Sequence, residues 1–129
     1  MIVERSVRVI GLDHIVLNVT DVERSLAFYC ETLGLSPVRV DEWRKKEVRF
    51  PSVRVNEAMI IDLFGNDRAG ENLDHFCLVV EPTDLEALKS VEGLDVVQGP
   101  SKRFGARGIG VSLYVSDPDG NRVELRYYE

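Results

Sequence analysis

The chain repeats itself, and that limits what it can fold into. Leu12-Asp13-His14-Ile15-Val16-Leu17-Asn18-Val19 is matched about 60 residues later by Leu73-Asp74-His75-Phe76-Cys77-Leu78-Val79-Val80. Thr20-Asp21-Val22-Glu23 is matched by Thr83-Asp84-Leu85-Glu86, and Ile61-Asp62-Leu63 by Val123-Glu124-Leu125. Three matches in one order at nearly constant offset describe a duplicated unit. The 129 residues suffice for one core of useful size but not for two independent ones. The expectation is a single domain over residues 1–129, made of modules spanning about 9–66 and 71–128.

Both copies share one plan. In the first, residues 13–19 alternate with period two, as a half-buried strand does. A helix is expected from Asp21 to Leu33, because Val22, Leu26, Tyr29 and Leu33 recur at spacings of three and four. Gly34 stops it. Strands are expected at Ser36–Asp41, Glu47–Phe50 and Asn56–Phe64. The second copy predicts a strand at Asp74–Val80, a helix at Asp84–Val91 with Gly93 as its stop, and strands at Asp95–Gln98, Gly110–Ser116 and Asn121–Tyr128. Both helices are expected to open on a Thr-x-x-Glu capping box. Asp117-Pro118-Asp119-Gly120 suits a type I turn, and residues 67–71 read as the connector. The fold class is α+β: tandem βαβββ modules whose curved mixed sheets carry a helix on one face and enclose a cavity with the other.

The repeat pairs the chain's two histidines, His14 and His75, and two carboxylates, Asp62 and Glu124. Each histidine precedes its carboxylate by nearly the same distance, 48 and 49 residues. Strand alternation turns Ile15, Leu17 and Val19 to the helix and leaves His14, Val16 and Asn18 on the other face. The same rule separates Phe76, Leu78 and Val80 from His75 and Cys77, Ile61 and Leu63 from Asp62, and Val123 and Leu125 from Glu124. Two imidazoles and two carboxylates converging on one surface would bind a divalent metal such as Zn, Mn, Fe, Co or Ni. Asp62 is the only polar residue from Ala58 to Phe64, and burying an uncompensated carboxylate is costly. Other readings stay open: structural strand histidines, an Asp62 pair with Arg49 or Arg54, and a solvated charged face formed by Arg122, Glu124 and Arg126.

Composition removes whole classes of function. Lys and Arg number 16 against 22 Asp and Glu, a net charge of −6 with no basic run, so nucleic acid is not the expected partner. No apolar run approaches the roughly 20 residues of a bilayer-crossing helix. Met1 to Ser6 shows no secretory leader, and two cysteines make no disulfide framework, so a cytoplasmic location is expected. Gly105-Ala106-Arg107-Gly108-Ile109-Gly110 lacks the ending of a phosphate loop. It is either a plain connection or bulge, or a loop at the cavity mouth where Arg103 and Arg107 meet an anionic substrate. Tyr114 is either a cross-strand packing residue or a catalytic contact, and Trp43 is expected at an edge or a dimer contact.

These residues resemble the vicinal oxygen chelate superfamily, which contains glyoxalase I, bleomycin-resistance proteins, fosfomycin-resistance enzymes and extradiol dioxygenases. The resemblance runs from about residue 9 to 128 and rests on Leu12-Asp13-His14, Asp21 through Tyr29, Leu33-Gly34-Leu35, Asp74-His75, and Asp117-Pro118-Asp119-Gly120 before Val123-Glu124-Leu125. It implies a homodimer, with one divalent ion per site holding two adjacent oxygens of a small substrate. It puts the metal-binding histidines and terminal glutamate on His14, His75 and Glu124, and the fourth ligand of glyoxalase I on Asp62. Tyr114 matches the tyrosine of the extradiol enzymes. Asn18 stands where glyoxalase I has an arginine for glutathione. No histidine remains for ring-cleaving oxygen chemistry once His14 and His75 hold metal, so lyase or isomerase chemistry ranks above dioxygenase chemistry. Asp62 is either a metal ligand or a general base. The competing class is a non-catalytic, sequestering protein of the bleomycin-resistance type.

Overall fold

The computed structural model describes residues 6–67, 70, 72–116 and 120–129. Its architecture is α+β, and its contacts divide the chain into two compact units, His14–His75 and the described residues to Asp13 with Phe76–Glu129. The expected turn at Asp117–Gly120 and the connector at 67–71 fall largely on residues outside those described. Among the described residues no helix is long and apolar enough to cross a membrane.

In the His14–His75 unit the strand order is β2-β3-β4-β1, with β1 at Val9–Val19, β2 at Ser36–Val38, β3 at Ser52–Asn56 and β4 at Met59–Gly65. β1 runs parallel to β4, with His14 opposite Ile60 and Val16 opposite Asp62, and β3 runs antiparallel to β4 with Ser52 opposite Asp62. Helix α1, Val22–Leu26, continues into a wider π-helical stretch over Ala27–Thr32. The Leu33 amide donates to the Phe28 carbonyl at 3.0 Å, and the Leu35 amide reaches back to Tyr29 across Gly34, whose φ of +79° suits glycine.

The expected capping box does not form. Asp21 caps α1 by accepting from the Arg24 amide at 3.1 Å, while Thr20 accepts from the Arg24 side chain. Glu23, which a capping box would turn back to the helix start, pairs with Arg44 at 2.8 Å and 3.0 Å instead. The second copy repeats the substitution: Asp84 accepts from the Ala87 amide at 3.3 Å, and Glu86 pairs with Lys89 at 2.9 Å.

Two expected strands of this unit also change. Only Ser36–Val38 of the first pairs with β3; Val40–Arg44 is instead a short helix, α2, entered through a left-handed Arg39. Val40 and Trp43, three residues apart, both pack on the core of Leu26, Val53 and Leu63, so burial selects the helical turn. The strand expected at Glu47–Phe50 lies instead beyond Pro51, as Ser52–Asn56. Proline cannot donate to a ladder, but its carbonyl accepts from the Leu63 amide at 3.0 Å and starts the pairing there.

The other unit has the order β5-β8-β7-β6, with β5 at Leu73–Val80, β6 at Asp95–Gly105, β7 at Gly108–Ser116 and β8 at Arg122–Tyr127. β5 is parallel to β8, and β7 is antiparallel to both β6 and β8. The helix expected at Asp84–Val91 is a single 3-10 turn, Glu86–Ser90. Its Leu88 joins Val80, Leu85, Leu113, Val115, Val123 and Leu125 in the core, so one turn covers this face. The strand expected at Asp95–Gln98 extends to Gly105, its register shifting around Gly99-Pro100. The glycine-rich run forms a tight β6–β7 hairpin, with Gly105 opposite Gly108.

The face assignment holds in both units. Ile61 and Leu63 pack toward α1, and Leu78, Val80, Val123 and Leu125 pack around the 3-10 turn, leaving Asp62 and Glu124 on the opposite faces. Leu63 has no exposed surface, so Leu63→Ala is expected to lose about 2–5 kcal/mol of stability, read from urea unfolding.

Candidate metal centre

Parallel pairing of β1 with β4 brings His14 and Asp62 together on one buried face. The Nε2 atom of His14 lies 3.8 Å from Oδ2 of Asp62, and both side chains are almost wholly buried. Ser52, opposite Asp62 in the ladder, donates its hydroxyl to Oδ1 at 2.5 Å. The rings of His14 and His75 stand edge to face with centroids 5.6 Å apart. A ring nitrogen of one lies within 4.8 Å of a ring nitrogen of the other. Nδ1 of His75 lies 2.7 Å from Oδ2 of Asp74. A carboxylate at Nδ1 selects the tautomer with the lone pair on Nε2, as is usual for a metal-binding histidine. Buried imidazole nitrogens and carboxylate oxygens are donor types that suit a first-row divalent ion.

Glu124 belongs to the other unit and is only 1% exposed, so the reading of β8 as a solvated charged face is corrected. The Ser112 hydroxyl donates to its Oε2 at 2.7 Å, and the Arg126 guanidinium lies 3.9 Å from the same oxygen. Each repeated carboxylate therefore rests on a serine from the neighbouring antiparallel strand. Neither serine stood out in the sequence; they become visible only once the ladder register is known. Cys77 faces Glu124 from β5, and burial pushes its thiol far up, which suits a filler and not a nucleophile.

Tyr114 pairs with Glu124 in the ladder, and Arg122 lies over its ring at 5.0 Å. Burial first, and then the Glu124 charge, pushes its phenol up to about 12, so it remains a neutral hydrogen-bond donor at ordinary pH. Arg103 is hydrogen-bonded to Tyr114. Arg107 is exposed at the hairpin tip and stacks its guanidinium on Tyr128 at 4.2 Å.

Behind Glu124 lies a buried network that the sequence reading did not anticipate. Asp13 accepts from the Ala106 amide at 2.9 Å and from the Tyr128 hydroxyl at 2.5 Å, and it lies 3.4 Å from the Arg126 guanidinium. The glycine-rich hairpin makes room for that guanidinium. A Cβ at Gly105 would sit 1.5 Å from Nη1 of Arg126. Gly105→Ala is therefore expected to cost about 1–3 kcal/mol, measured by denaturant unfolding, whereas the same change at open Gly11 leaves the midpoint within error.

In the His14–His75 unit a groove of about 340 Å³ is lined by Arg49, Phe50, Phe64, Gly65 and Asn66. Phe64 follows Asp62 by two residues on β4 and so shares its face. Its ring meets that of Phe50 with centroids 4.9 Å apart.

Comparison with known proteins agrees with this architecture. A family model described as the Glyoxalase/Bleomycin resistance protein/Dioxygenase superfamily matches residues 11–125. The glyoxalase domain-containing protein RDO1 of Mycosarcoma maydis is 33% identical, the match covering 98% of this chain and 73% of that protein. A probable lactoylglutathione lyase of Synechocystis sp. is 30% identical over 87% of this chain and 91% of its own length. The Mn(II)-bound glyoxalase from Novosphingobium aromaticivorans superposes with a TM-score of 0.66 at 22% identity, over 94% of this chain and 40% of that one.

Proposed function

Because the chain belongs to the glyoxalase/bleomycin resistance protein/dioxygenase superfamily, we propose that it is a metal-dependent enzyme of lyase or isomerase chemistry. Its substrate is a small molecule held through two adjacent oxygens. His14, His75 and Glu124 hold one divalent ion, Zn, Mn, Fe, Co or Ni, and Asp62 is a fourth ligand or the general base. The observation that carries this reading is the pair of buried imidazoles with nitrogens within 4.8 Å, beside a buried carboxylate 3.8 Å from His14. The resemblance to a lactoylglutathione lyase supports the reaction class. The protein is a cytoplasmic homodimer in this reading.

A bound divalent ion supplies Lewis acidity, which acidifies a carbon next to the chelated oxygens. The chain's own groups do the rest. In the role of base, Asp62, fixed through Oδ1 by Ser52, takes a proton at Oδ2 from that carbon and returns it to the neighbouring position. Tyr114, kept neutral, donates a hydrogen bond to a substrate oxygen that gains negative charge. Arg103 and Arg107 receive an anionic end of the substrate. Phe50 and Phe64 cover an apolar part and limit water near Asp62.

Mn(II) titration of the purified protein, followed by calorimetry, tests the reading. One ion per chain is expected, with His14→Ala or His75→Ala weakening uptake by at least about 100-fold. Failure of the wild-type chain to take up Mn(II), Zn(II) or Ni(II) at micromolar levels would overturn it. Asp62→Asn is expected to abolish turnover of the 2-oxoaldehyde or other vicinal-oxygen substrate that the loaded protein converts. Metal uptake retained in that variant assigns Asp62 as base, and uptake lost assigns it as ligand.

A further inference from the structure

We propose that Arg126 is a positioning residue that fixes the carboxylate of Glu124 for metal binding. The inference rests on the function proposed above, since it takes Glu124 as a ligand.

A guanidinium at 0% exposure is an unusual thing to find on a small sheet. Hydrophobic residues of similar volume commonly make such a place at least as stable as a buried ion pair does. Here the chain gives up a side chain to accommodate the charge, since a Cβ at Gly105 would meet Nη1. The guanidinium is then held on several sides. Nη1 lies 3.4 Å from Asp13 and 3.9 Å from Glu124, Nη2 donates to the Arg103 carbonyl, and the Tyr128 ring is 5.0 Å from its carbon. Nε makes no hydrogen bond among the described residues.

The arrangement bears on Glu124 in two ways. Arg126 and Ser112 both address Oε2, so one oxygen of the carboxylate is held between a cation and a hydroxyl. Arg126 also lies between Glu124 and Asp13, the residue covalently next to His14. Its Nη1 is shared by the two acids, which ties the Glu124 carboxylate to Asp13.

The test compares Mn(II) affinity and the Mn(II) electron paramagnetic resonance spectrum in the wild-type chain, Arg126→Met, Arg126→Lys and the surface control Lys102→Met. Arg126→Met is expected to bind Mn(II) about 10–100-fold more weakly with a changed spectrum, and Arg126→Lys to recover part of the loss. Lys102→Met removes the same charge from an exposed position and is expected to bind as the wild type does. Folded Arg126 variants with wild-type affinity and spectrum would overturn the inference while leaving the proposed metal site standing. If Arg126→Met does not fold, Arg126→Lys decides alone, and wild-type binding by it overturns the inference. A wild-type chain that takes up no metal brings down the proposed function and this inference together.

Discussion

An ionised carboxylate withdrawn from water must find its compensation inside the protein. Among the described residues three carboxylates are buried, Asp13, Asp62 and Glu124, and much of the local structure answers that need. Asp62 has the Ser52 hydroxyl and faces His14; Glu124 has the Ser112 hydroxyl and the Arg126 guanidinium; Asp13 has a backbone amide, a phenol and the same guanidinium. The helices lie on the other faces, against Leu63 in one unit and Leu113 and Leu125 in the other, where the packing is apolar. In each unit the strands carry an apolar core on one face and, on the other, acids that each have their own partners.

Much of this was legible in the sequence because it follows from period two. Once Leu17 and Leu63 are assigned to the helix side, His14 and Asp62 must lie together on the other, and the ladder pairs Val16 with Asp62 as that requires. The same alternation sets Glu124 apart from Val123 and Leu125 in the other unit. The family match over residues 11–125 agrees with the resemblance that the motifs carry.

What escaped the sequence reading was decided by competition among local groups. Glu23 and Glu86 fit the capping template, but Arg44 and Lys89 engage them, and an aspartate caps each helical start instead. Arg44 is 21 residues from Glu23, so no short window contains the competitor. Helix α2 escaped for a similar reason: Val40 reads as a strand residue and Trp43 as an edge or dimer contact until the core of Leu26, Val53 and Leu63 draws both onto it. The serines beneath the two acids depend on ladder register, and the role of Gly105 depends on a guanidinium that comes 21 residues later in the chain.

The Ala106 amide also constrains how the protein could adapt. It sits at the tip of the β6–β7 hairpin, beside Arg107, yet its hydrogen bond goes to Asp13, far away in the chain. In most enzymes a hairpin tip tolerates insertions, and new specificities are often tried there. Here lengthening the tip would withdraw a main-chain donor from a buried acid that adjoins His14. Diversification at this tip is therefore confined to exchanging side chains on a loop of fixed length.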